Sequence, residues 1–91
     1  MPTIEEVKDY LGIDFDDEVS IRNIQRFILF TETYLKGGIS NLPKDDERVK
    51  QLALFIIEIL YDRGSYNAKE NVMIEKLKND LFMQLQCEGR I

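Results

Sequence analysis

The sequence contains no histidine and no tryptophan, and its one cysteine is Cys87. Without histidine the chain lacks the most used general acid or base near neutral pH and the most frequent transition-metal ligand. A zinc site would have to be built from carboxylates almost alone, which is an uncommon donor set. A lone cysteine closes no internal disulfide, so folding is independent of oxidation, as expected of a cytoplasmic protein. No histidine is present to activate the Cys87 thiol, which reads as an ordinary tail residue. Long apolar runs are missing too. The longest, 52–57, is six residues, against the roughly 20 that a membrane span needs. The opening MPTIEEVKDY has no basic stretch followed by an apolar one, so no signal peptide and no membrane association are expected.

The motifs of catalysis are also absent. There is no P-loop, no Gly-rich phosphate cradle, no Cys-x-x-Cys and no G-x-S-x-G. These absences predict a non-enzymatic protein with no catalytic residues, no cofactor and no metal. Basic residues are outnumbered, 12 Lys and Arg against 17 Asp and Glu, giving a net charge of −5. That balance argues against a general nucleic-acid binder, which neutralises phosphates with cations. The acidic group Asp14, Asp16, Asp17 and Glu18 loosely resembles an ion loop. It lacks the glycine and the closing glutamate of an EF-hand, so it reads as helix N-terminal charge beside a solvated turn. Asp45, Asp46 and Glu47 carry the same reading.

What is present is helical patterning on the scale of one domain, spanning 1–91. Hydrophobic residues are 44% and charged residues 32%, a globular balance. Thr3-x-x-Glu6 forms a capping box before Ile4, Val7, Tyr10 and Leu11, and Gly12 closes that stripe, predicting a helix over 4–11. A second helix is predicted over 17–36, with Ile21, Ile24, Phe27, Ile28, Thr31, Tyr34 and Leu35 inward and Gly37-Gly38 as its stop. A third is predicted over 45–63. Val49, Leu52, Ala53, Ile56, Ile59 and Leu60 form its stripe, yet Leu54, Phe55 and Ile57 outside the stripe are apolar as well. A helix apolar on most sides is surrounded by protein, so this is the central helix, ended by Gly64. A fourth is predicted over 68–86, with Ile74, Leu77, Leu81 and Leu85 as its seam. The fold class is therefore all-α: a small four-helix domain with short loops packed around an apolar third helix. Leu52, Ile56, Ile59 and Leu60 should be inaccessible against Ile24, Ile28 and Leu77. The tail, 87–91, should fray or wait for a partner.

Candidate contact residues follow from what the stripes leave outside. Arg22 and Arg26 lie one turn apart, opposite Ile24 and Ile28, where they either meet solvent or contact an acidic neighbour or a phosphate. Leu29 and Phe30 flank the same stripe. Phe30 marks either a subunit contact or a side chain covered by its own fold. Arg63 stands in the last turn of the third helix, on the side of Ile56 and Leu60. It is either a C-terminal cap favoured by the helix dipole or a bridge to an acid such as Asp9 or Asp14.

Two phrases carry a family resemblance. The opening Thr3-Ile4-Glu5-Glu6-Val7-Lys8-Asp9-Tyr10-Leu11-Gly12-Ile13-Asp14, followed by an acidic turn, resembles the start of phage head–tail connector (adaptor) proteins of long-tailed phages and prophages. The stretch from Ala53 to Arg63 resembles the apolar helix of that family, which ends in an aliphatic–Tyr–x–x–Arg phrase. Here one residue rather than two separates Tyr61 from Arg63, and Gly64 stands where many members have Glu. The resemblance covers most of the chain in order and spacing. It implies a structural virion protein, assembled in the bacterial cytoplasm, that forms a ring of its own copies beneath the portal. It further implies that DNA passes through the ring as cargo and that a tail-completion protein docks on it. Possible subunit or docking contacts are Arg22, Arg26, Leu29, Phe30 and Arg63. Other classes stay open: a small acidic helical regulator or inhibitor of a protein partner, or a DNA-binding module using Arg22, Arg26 and Lys36.

Overall fold

Thr3 and Glu6 open the first helix by satisfying each other's backbone. The Thr3 hydroxyl accepts from the Glu6 N–H at 3.2 Å, and the Glu6 carboxylate accepts from the Thr3 N–H at 2.9 Å. The helix so started, α1 (Ile4–Leu11), stops at Gly12, whose φ of 72° lies in the left-handed region that side chains disfavour. The structure, a computed structural model, describes residues 1–14, 17–63 and 67–91, with only the backbone of Arg63. Asp16 in the first acidic group and Gly64 as a helix stop lie outside the described residues. Among the described residues there are three further helices, α2 (Glu18–Gly38), α3 (Glu47–Arg63) and α4 (Ala68–Cys87), and no strand. The domain is all-α, as the patterning predicts.

Each later helix begins on a side-chain cap. Asp17 accepts from the Ser20 N–H at 3.1 Å and opens α2. Asp46 accepts from the Arg48 N–H at 2.8 Å and opens α3, so that helix starts after the acidic pair rather than within it. Asn67 and Glu70 form a second capping box at the head of α4, with distances of 2.8 and 3.0 Å. Helix α2 runs on through Gly37 and Gly38, two residues past its predicted end. Buried Ile39 ends it, donating its N–H to the Leu35 carbonyl at 2.8 Å. Gly38 has a use inside the helix. A Cβ there would stand 2.9 Å from Cε of Lys78, so its absence lets an α4 side chain cross close to α2.

Helix α3 is the centre of the packing, touched by α1, α2 and α4. Its two sides serve two clusters. Val49, Leu52, Ala53, Ile56, Ile59 and Leu60 pack with Leu35 and Ile39 and with Ile74, Leu81 and Leu85 of α4. Leu54 and Ile57 pack on the other side with Val7 of α1 and Ile24 of α2. Full burial of one such side chain contributes roughly 1.5–3 kcal/mol. The expected core positions Leu52, Ile56, Ile59 and Leu60 are buried, but all three of their expected neighbours differ. Ile24 and Ile28 belong to the cluster of Leu54 and Ile57, because α2 crosses to the α1 side of α3. Leu77 is 40% exposed, because α4 seats Ile74, Leu81 and Leu85 and turns Leu77 to its edge.

The tail, expected to fray or to wait for a partner, folds back on the end of α4. The Arg90 N–H bonds to the Leu85 carbonyl at 2.9 Å and the Gly89 N–H to the Gln86 carbonyl at 3.1 Å, with Gly89 at φ 72°. This is the paired closure of a helix on a left-handed glycine. It turns the chain back so that Ile91 packs on the core.

Candidate functional site

Two surfaces combine exposed apolar side chains with charged ones. The first is the outer face of α2. Arg22 and Arg26 are exposed there, and neither meets a carboxylate among the described residues. Leu29 is 65% and Phe30 48% exposed, beside Val19. Helical spacing puts all five on the side away from buried Ile24, Thr31 and Leu35. The structure thus brings together four of the sequence-derived candidates, Arg22, Arg26, Leu29 and Phe30. Phe30 is left about half exposed by the described residues. The fifth candidate, Arg63, is the last residue of α3; its side chain, and with it the choice between cap and bridge, lies outside the described residues.

The second surface is a groove of about 450 Å³ between α3 and α4. Leu52 and Phe55 from α3 and Leu77 and Leu81 from α4 form its apolar floor. Glu47, Gln51, Asp80 and Gln84 edge it, and Arg48 closes one end. No residue of α2 lines it, so groove and outer face are separate surfaces.

An ion network fixes the end of the groove. The Arg48 guanidinium forks onto Glu88, with both N···O distances 2.7 Å, and meets Asp46 at 3.0 and 3.1 Å. Arg90 donates to the same Asp46 carboxylate. The Arg48 side-chain hydrogen bond, more than any other cause, holds the Asp46 carboxyl down at about 2, and it also lowers Glu88. Both carboxylates in turn raise Arg48. The network ties the start of α3 to the end of α4, the edges between which the groove opens. A second tie joins α2 to α4: the Tyr34 hydroxyl donates to Glu75, and the Lys78 ammonium lies 4.6 Å over the Tyr34 ring. Helix α1 is held to α3 by Lys50 and Glu6 at 2.6 Å and by Tyr10 and Glu58 at 3.3 Å.

Among the described residues no group of three or more acidic, Cys or His side chains could hold a metal ion. Cys87 is exposed, and no helix among those residues is long and apolar enough to cross a membrane. Sequence reasoning missed Asp46, Arg48, Glu88 and Arg90 as a unit, since the pairings of Arg48 with Glu88 and of Arg90 with Asp46 join residues 40 and 44 positions apart. It also missed the groove, which exists because Leu77 leaves the seam. The one local signal was Gly89 two residues before Ile91, a helix-closing pattern that foretells an ordered tail. No family model, no curated protein and no solved structure matches the chain.

Proposed function

We propose that the protein is a structural connector of the phage head–tail type, assembling as a ring beneath a portal, with DNA passing through as cargo. The observation that carries this reading is the pair of phrases, Thr3 to Asp14 and Ala53 to Arg63, in the family's order within a four-helix chain. Support comes from their packing on one another. Val7 of the first shares a buried cluster with Leu54 and Ile57 of the second, as parts of one inherited core would. The exposed apolar pair Leu29 and Phe30 supports self-association, because apolar side chains of that size gain from being covered. The net charge of −5 suits a conduit, since an acidic ring repels phosphate rather than gripping it. On this reading the protein works in the virion and catalyses nothing; its partners are its own copies, the portal and a tail-completion protein.

Sedimentation over a wide concentration range, with and without purified portal, tests the proposal. A ring-sized species, formed alone at high concentration or on the portal, is the expected result. A chain that stays monomeric at every concentration and does not sediment with portal overturns the reading.

A further inference from the structure

The two exposed surfaces complement each other. The α3–α4 groove has an apolar floor of Leu52, Phe55, Leu77 and Leu81, with Glu47 and Asp80 on its edges. The Glu47 side chain is 71% exposed and meets Lys50 only at 3.8 Å, and Asp80 meets no cation among the described residues. The outer face of α2 offers the reverse: apolar Val19, Leu29 and Phe30 interleaved with Arg22 and Arg26. In a chain of net charge −5, copies repel unless their contact matches opposite signs. This pair of surfaces provides that match.

We propose that the groove of one copy receives the outer face of α2 from a second copy. Leu29 and Phe30 enter the apolar floor, and Arg22 and Arg26 face Glu47 and Asp80. The inference rests on the self-assembly read above and names the surfaces that carry it. Charge also decides the geometry. Groove against groove would oppose acids to acids, and α2 face against α2 face would oppose arginines to arginines. Both symmetric pairings are therefore disfavoured, and the contact is head-to-tail. Because no α2 residue lines the groove, one copy can use both surfaces at once. Such a contact closes into a ring when the rotation between neighbours divides a full turn, and otherwise continues as a filament.

Charge reversal tests the proposal. The double variants Arg22→Glu/Arg26→Glu and Glu47→Lys/Asp80→Lys are made separately and then combined in one chain, with far-UV circular dichroism confirming that each folds. Sedimentation at low salt, alone and on portal, reads the association. Each double variant should weaken self-association by roughly tenfold or more, the loss of about 1.4 kcal/mol, and the fourfold variant should recover it. A Phe30→Asp chain mixed with a Leu77→Asp chain retains one intact junction and should stop at a heterodimer. If the wild type associates but the reversals change nothing, or the fourfold variant does not recover, the interface lies elsewhere while self-assembly stands. If the wild type associates neither alone nor on portal, both readings fall. A groove that binds only a foreign basic amphipathic helix, with no self-association, overturns the second copy as its occupant.

Discussion

Replacing Asp46 with asparagine removes one negative charge from beneath two guanidinium groups while leaving an oxygen to cap α3. The Asp46 side chain is 5% exposed and meets both Arg48 and Arg90. Its carboxyl lies at about 2 instead of 3.8, chiefly because the Arg48 side chain hydrogen-bonds to the charged form. At about 1.4 kcal/mol per pKa unit, that displacement sets a ceiling of roughly 2.5 kcal/mol on the stability carried by the charge. The two arginine side chains are 36% and 40% exposed, so solvent screening reduces the expected loss in Asp46→Asn to about 1–2 kcal/mol. The sign with pH follows from the direction of the shift. A carboxyl held below its ordinary value stabilises the fold fully above its unfolded pKa, and the contribution vanishes as pH falls through the folded one. Urea unfolding of wild type and variant should therefore show the full difference near neutral pH. As pH falls from about 5 to about 2 the difference should shrink to under a third. A difference below about 0.5 kcal/mol at neutral pH, or one that does not change with pH, refutes the argument.

Other expected outcomes follow from packing. Ile56→Ala should cost roughly 2–5 kcal/mol in denaturant unfolding, as for any fully buried aliphatic truncation; a loss under about half a kcal/mol would remove it from the core. Leu81→Ala should fall in the same range, whereas Leu77→Ala should cost less than about 1 kcal/mol, since Leu77 is at the groove's edge; equal losses would contradict the corrected seam. Thr31 is fully buried, and its hydroxyl has no hydrogen-bond partner among the described residues. Thr31→Val should therefore raise stability by about 1 kcal/mol, and a loss in thermal unfolding would show that the hydroxyl is satisfied.

The elements were legible in the sequence because each is specified locally. Thr3 with Glu6 and Gly12 fixed α1 to the residue, and the apolar excess of Leu54, Phe55 and Ile57 announced a helix covered on more than one side. The capping box Asn67-x-x-Glu70 at the start of α4 is equally local, but it was not read from the sequence. Periodicity could not assign partners. It marks a face without saying which helix covers it, so Ile24 was matched to the wrong side of α3 and Leu77 to the core. Helix α2 outran its glycines because a tertiary contact, Lys78 beside Gly38, made a residue without a side chain useful there. The outer face of α2 was readable as the complement of its apolar stripe. The groove and the Asp46–Arg48–Glu88–Arg90 network were not, since each arises from residues far apart in the chain.

Electron microscopy of the purified protein mixed with portal tests the central claim most directly. If the chain is a ring-forming connector, class averages should show an added annulus, coaxial with the portal and open at its centre, built of copies in head-to-tail contact. Portal particles without that added layer, together with a chain that remains monomeric when concentrated, would contradict it.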